Sequence, residues 1–393
     1  MTFVQLQINR IKRLFVYFIA MLIRTFSSIN EKRVFMWSFH FDKYACNPRA
    51  ITEYLLEFHS DEYEIYWAFE KGAIPNDLDK RIICVRKYSF AYFRAMYTSK
   101  FVITNLRNYV MYTMFKKKKG QKYIMTWHSS IRLKRIEKDA AEQLGEKYMK
   151  RAALDSKMCD LMLSNSRLFT SQLRNTFGYE GEILENCIPR NCMFYDETKR
   201  NMSYINIRRT MGFDFDTKIV LYAPTFRNKS SDLKYYHIDW NKVIPRLEKM
   251  LGGDVKVLIK LHPNMSKIKD LSQITSYDNV YDVTQASDIT EFLFAADAMI
   301  TDYTSAMFDF AILKKPCFIY AIDKDEYDRG FYWELEQLPF PIAESEEQLV
   351  HNIELFSLES YIDSLNRFVN EVWGLNEDGQ ACERIYNWMR RQN

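Results

Sequence analysis

The 393-residue chain contains no CxxC pair, although it carries seven cysteines, Cys46, Cys84, Cys159, Cys187, Cys192, Cys317 and Cys382. Their number is odd and only Cys187 and Cys192 lie close in sequence, which argues against a disulfide framework and for a reduced, cytosolic protein. The six histidines form no HxxxH or HExxH pattern, so no zinc site is expected. Internal repeats and long Gly/Ser linkers are also missing. Positive charges exceed negative ones by only four, too few to call for a nucleic-acid partner. No apolar run is long enough to span a bilayer: 14–23 is apolar throughout, but a spanning helix needs roughly 20 residues. No small-residue cleavage site follows that run, which argues against a signal peptide.

Hydrophobic residues make up 47% of the chain and aromatics 16%, enough for packed cores rather than disorder. At ~150 residues per domain the length predicts two domains. Lys12 and Arg13 before the apolar run and Arg24 after it predict a basic amphipathic helix over about residues 5–27, lying in a membrane interface. The plainer alternative is a helix packed on the body of the protein.

Beyond it, short apolar segments alternate with helical patterns, the signature of a parallel α/β architecture. Strands are expected over 33–38, 63–69, 81–85, 101–104, 122–126, 161–164, 181–184, 218–223, 256–260, 298–301 and 317–321. Helices are expected over 47–58, 136–153, 166–177, 240–251, 289–296 and from Ser305 to about 313, with Asp288 and Glu291 as a capping box. The polar stretch 195–210 is the expected boundary. It divides the chain into the helix 1–29, a domain 30–200 and a domain 201–393 whose last helix is free to cross back.

In open parallel sheets ligands bind beyond the carboxyl ends of strands. Four expected strands run into chemistry-bearing residues: His128, the Pro224-Thr225-Phe226-Arg227 turn, His262, and the Asp302-Tyr303-Thr304-Ser305 loop. The last precedes a helix whose N-terminus can hold an anion. Two histidines, an arginine and a helix start fit a diphosphate, because phosphoryl transfer depends mainly on positioning and charge neutralisation. Singly, each has an ordinary reading as a structural histidine, a turn or a helix cap.

At these same residues the chain resembles the CDP-glycerol glycerophosphotransferase family of teichoic-acid and capsule synthesis. The run from Ile300 to Pro316, continued by Tyr320, Asp325-Glu326-Tyr327 and Arg329-Gly330-Phe331-Tyr332, follows that family's "SDYSS…FDYA…KP…DEY…RGFY". Tyr222 to Arg227 matches its "YAPT(W/F)R", Lys260 to Pro263 its "HP", and Trp127-His128 with Lys134 its "WHG…LK". Asn47-Pro48-Arg49-Ala50, Pro189-Arg190-Asn191, Asp378-Gly379 and Glu383-Arg384 fit as well.

The resemblance implies a GT-B fold of two Rossmann-like domains facing a central cleft. CDP-glycerol would be held mainly by the C-terminal domain, with no metal or other cofactor, and the protein would attach peripherally to the cytoplasmic membrane face. It implies that His128 takes the proton of the acceptor hydroxyl and that His262 hydrogen-bonds the diphosphate. Arg227 would neutralise phosphate oxygens, Thr304 and Ser305 would cap the donor phosphates, and Pro224, Thr225, Asp302, Tyr303 and Asp309 would complete the donor side. The chain departs from the family at Ser129-Ser130-Ile131-Arg132, where small residues are usual, at Cys187 and Cys192, and at Leu338-Pro339-Phe340-Pro341. These departures bear on the acceptor and on the polyol, glycerol or ribitol.

Lys116, Lys117, Lys118 and Lys119, with Lys122, Arg132, Lys134, Arg135 and Lys138, are expected to form a basic region close to His128, facing anionic lipid or a lipid-linked or polysaccharide acceptor. The shortness of the chain favours a single addition over processive polymerisation. Homo-oligomerisation is left open. The competing functions are a GT-B nucleotide-sugar glycosyltransferase and a non-catalytic family member.

Overall fold

A computed structural model describes the chain except for residues 1–2, 130, 228–232, 262–271, 287, 325–329 and 393, and gives the backbone alone for 3–12, 111, 233–234 and 272–273. It divides into two compact units. The first comprises Met1–Ser130, Glu137–Cys192 and Asn376–Asn393, and the second Ile131–Ile136 and Met193–Leu375.

Among the described residues the first unit is built on seven strands: β1 Asn30–Trp37, β2 Glu64–Phe69, β3 Ile83–Arg86, β4 Ser99–Thr104, β5 Lys122–Met125, β6 Leu161–Leu163 and β7 Glu182–Leu184. Their order is β3-β2-β1-β4-β5-β6-β7, and every pairing is parallel. β4 is buried at every position, which explains why its sequence reads as a continuous run and not as an alternation. The order reverses between β1 and β4, so the crevice of this sheet lies where those strands end.

Helix α1, Phe3–Phe26, packs on Phe90–Thr98. Ala20 is fully buried, while Leu14, Phe15, Phe18, Leu22 and Phe26 are exposed. Among the described residues no helix is long and apolar enough to cross a membrane.

The second unit repeats the plan with β8 Lys218–Ala223, β9 Val255–Ile259, β10 Val280–Asp282, β11 Ala298–Thr301, β12 Cys317–Tyr320 and β13 Ile342–Ala343, ordered β10-β9-β8-β11-β12-β13 and again all parallel. Val220, Tyr222, Ile259, Ile300 and Phe318 of the sheet pack with Trp240 and Leu247 of the helix Trp240–Leu251 in one apolar cluster. The reversal here falls between β8 and β11.

Two expectations need correcting. The charged helix over 136–153 is broken: Gly145 takes a left-handed φ of 79°, and the long helix is Glu146–Met158. Glycine has no Cβ to oppose that conformation, so the chain turns there. The helix after Asp288 is Thr290–Ala295, one residue shorter at each end than expected, and Asp288 accepts from the Thr290 amide at 2.9 Å. The polar stretch 195–210 lies just past Met193, where the second unit resumes, and is mostly the helix Glu197–Met211, whose Arg208 is fully buried and donates to Thr217 O at 2.8 Å and Asp297 Oδ2 at 3.2 Å.

Candidate functional site

In the first unit β5 ends at Met125 and the next residues turn sharply, with Trp127 at a φ of 54°. His128 follows, half-buried, its ring stacked at 4.6 Å on Trp127. Its Nδ1 lies 3.2 Å from the carbonyl oxygen of Asn105, just past β4. A carbonyl can only accept, so the proton of the neutral ring sits on Nδ1 and the lone pair on Nε2, the arrangement of a general base.

Asn105 is fully buried, and its Oδ1 accepts from the Phe39 amide at 3.0 Å. Phe39, His40 and Phe41 all have positive φ, a left-handed turn at the end of β1. The ends of β1, β4 and β5 are thereby tied together at the topological switch point, and His128 is mounted on them. Burial lowers the pKa of His40, with Lys87 adding to the effect and Asp42 opposing it.

The second unit places Thr225 and Arg227 beyond β8 and Asp302 beyond β11, again at the switch point. Asp302 accepts from the Thr225 amide with both oxygens, at 2.8 and 2.9 Å. Arg227 donates through Nε and Nη2 to Asp323 at 2.7 and 2.8 Å, and through Nη1 to Asp302 at 2.5 Å and to Thr225 O. The Tyr303 hydroxyl donates to Asp323 at 2.9 Å.

Burial opposes the charge on Arg227, but Asp323 and Asp302 outweigh it and raise the guanidinium pKa. Asp323 is pushed up by burial and pulled further down by its bonds to Arg227, ending below the usual carboxylate range. Its partner is therefore committed. The expected phosphate-neutralising fork of Arg227 is turned onto Asp323, only 7% of the side chain is exposed, and the residue braces the turn that carries Pro224 and Thr225. Thr304 and Ser305 are half-buried ahead of the six-residue helix Ala306–Ala311, and Asp309 is buried within it. Thr304 Oγ1 accepts from the Ala306 amide at 3.4 Å.

His262 lies outside the described residues, as do Asp325, Glu326, Tyr327, Arg329 and Ser130. The expected basic region beside His128 is not a single patch. Lys116 to Lys119 precede the amino end of β5, and His128 follows its carboxyl end, with a strand rising about 13 Å between them. Lys117 pairs with Asp160 at 2.7 Å, and Lys118 donates to Ser27 O; Lys116 and Lys119 are exposed. Arg24 of α1 bonds the carbonyls of Lys116 and Lys117, so this loop belongs with α1. Arg132 is buried, and Lys134 is half-buried in the second unit, bridged to Phe331.

Asn105 and Asp323 were not singled out from the sequence. The strand-end rule that found His128 also reaches Asn105, the first residue past β4. Asp323 carried no comparable signal, because a carboxylate three residues past a strand reads as ordinary loop.

The family model for CDP-glycerol:poly(glycerophosphate) glycerophosphotransferase matches residues 18–390. A teichoic acid glycerol-phosphate transferase of Staphylococcus aureus (strain NCTC 8325 / PS 47) is 31% identical over 96% of this chain and 98% of its own length. A teichoic acid poly(glycerol phosphate) polymerase of Bacillus spizizenii is 27% identical over 93% of this chain and 96% of its own. The solved structure of the wall teichoic acid polymerase TagF superposes with a TM-score of 0.81 at 27% identity, covering 98% of this chain and 96% of that one. Two parallel-sheet α/β units are those of the GT-B class. The chain, matched almost end to end, belongs to the CDP-glycerol:poly(glycerophosphate) glycerophosphotransferase family.

Proposed function

We propose that the protein transfers glycerol phosphate from CDP-glycerol to a hydroxyl of a lipid-linked teichoic-acid or related envelope glycan, releasing CMP. The observation that carries this reading is the His128 ring, held by the Asn105 carbonyl with its lone pair on Nε2, in a chain of this family. Nε2 takes the proton of the acceptor hydroxyl as that oxygen attacks the phosphorus bearing glycerol. The new P–O bond replaces the bond to CMP, which leaves with the electron pair.

The donor side is assigned to the β8 and β11 ends, with Thr304, Ser305 and their backbone amides toward the phosphates and Arg227 holding the turn in shape. His262, from its place beside Pro263, is assigned to the departing charge. No step calls on a metal. Supplied with a lipid-linked glycan acceptor, the protein should release CMP from CDP-glycerol and leave UDP-sugars untouched. Release of UDP from a UDP-sugar, with CDP-glycerol inert, contradicts the proposal, and preference for CDP-ribitol changes the polyol.

Attachment to an anionic membrane is proposed for α1. Leu14, Phe15, Phe18, Leu22 and Phe26 form an exposed apolar stripe, while Lys116 and Lys119 are exposed near its end. Each lysine near such a surface adds about 1 kcal/mol. Sedimentation with anionic vesicles should fall sharply in Phe15→Glu/Phe18→Glu, and equal sedimentation of the variant contradicts the attachment.

A further inference from the structure

Asn47 stands at the start of the helix Cys46–Phe58 and is fully buried. Its side-chain nitrogen donates to Trp127 O at 2.9 Å and to Thr126 O at 3.3 Å, and its oxygen accepts from the Arg190 amide at 3.0 Å. One carboxamide therefore joins three separate segments of the first unit. The two carbonyls it holds are those immediately before His128, and the Trp127 carbonyl shares a peptide plane with the His128 amide. Between them lies Trp127, an aromatic residue at a φ of 54°. A bulky residue keeps such a backbone only where its surroundings over-determine it. The single proton of Thr126 Oγ1 has two carbonyl acceptors within reach, Trp127 O at 3.0 Å and Thr104 O at 3.3 Å.

We propose that Asn47 is a positioning residue for the transfer: by clamping the Thr126 and Trp127 carbonyls it sets the peptide from which His128 projects, and so holds the imidazole on the Asn105 carbonyl with its lone pair on Nε2. This rests on His128 being the base. The chemistry selects asparagine. Aspartate has nearly the same shape and still accepts from Arg190, but it sets carboxylate oxygens against two carbonyls. Alanine removes all three bonds and leaves both carbonyls without this donor.

The test uses Asn47→Asp and Asn47→Ala, each alone and combined with His128→Ala, in the full-length protein, with folding followed by circular dichroism and melting. Both single variants should lower kcat by 10- to 100-fold while the KM for CDP-glycerol stays within twofold. Neither should slow His128→Ala further, because the group they act through is already gone. Nitrogen-15 shifts of the imidazoles, with His128 assigned from His128→Ala, should show Nδ1–H in the wild type and a mixture of tautomers in the variants. A merely structural role predicts the opposite pattern: equal fractional losses in both backgrounds, or an unchanged His128 tautomer. Either result overturns the proposal, as does failure of both single variants to fold. If His128→Ala alone keeps wild-type turnover, the base assignment falls, whereas the tautomer shift still reports on the clamp.

Discussion

Arg107 in the first unit and Arg227 in the second each lie a few residues beyond a strand that borders the switch point, β4 for Arg107 and β8 for Arg227, and each is buried between two carboxylates. Arg227 meets Asp323 through two edges and Asp302 through a third contact, all between 2.5 and 2.8 Å. Arg107 meets Glu137 at 2.8 Å but Asp155 only at 3.3 Å, with Ser156 Oγ at 2.7 Å. The proton behaviour diverges accordingly. Asp323 is held below the usual carboxylate range, whereas complete burial pushes Asp155 up to about 6 despite Arg107. In one cluster Asp323 is held toward its ionised form, and in the other Asp155 is pushed toward its protonated one. Depth of burial and contact geometry decide which: Asp155 is the more deeply buried and meets Arg107 at 3.3 Å, whereas Asp323 meets Arg227 through two edges, and a tight bidentate pair recovers more of the cost of desolvation.

The largest expected effect comes from breaking the tighter cluster. Asp323→Ala strips Arg227 of its bidentate partner inside the protein and should destabilise the second unit by about 3–5 kcal/mol, read as a lower urea midpoint. A change below 1 kcal/mol would mean that the pair is not buried as described.

The next effect separates the two units by pH. A carboxyl whose folded value lies above its unfolded one keeps its proton longer when folded. Asp155, raised from 3.8 to about 6, therefore makes stability fall as pH rises through that window and leaves it level above. Each unit of difference is worth about 1.4 kcal/mol. Asp155→Asn should flatten the slope of melting temperature between those pH values, and an unaltered slope would remove Asp155 as its source.

The smallest effect compares the forks directly. Arg227→Lys should cost about 1 kcal/mol more than Arg107→Lys, because an ammonium cannot reproduce the two-edged contact with Asp323. Equal costs in matched denaturation curves would make the two clusters equivalent.

Much of the fold was legible because parallel strands buried on both faces must be apolar throughout. Runs such as 218–223 and 298–301 could be bounded to the residue. The strand-end rule then led to His128, Thr225, Arg227 and Asp302. What stayed hidden depends on partners distant in sequence. Asp323 lies 96 residues from Arg227, and Asp155 lies 48 from Arg107. Nothing local distinguishes either from a solvated loop or helix carboxylate. The contact of Arg227 with Asp323 is hidden in the sequence for that reason. The lysine run at 116–119 is near His128 in sequence, but the strand Lys122–Met125 lies between them. Asn47 was noticed as part of a pattern, but its two carbonyl contacts across 79 and 80 residues needed coordinates.

The most direct test of the central claim pairs turnover with binding in His128→Ala. CMP release from CDP-glycerol in the presence of acceptor should fall by about 10²- to 10⁴-fold, the usual contribution of a general base. CDP-glycerol affinity and melting temperature should stay at their wild-type values. Turnover within a few-fold of wild type would contradict the account, because no other group in it accepts the acceptor proton.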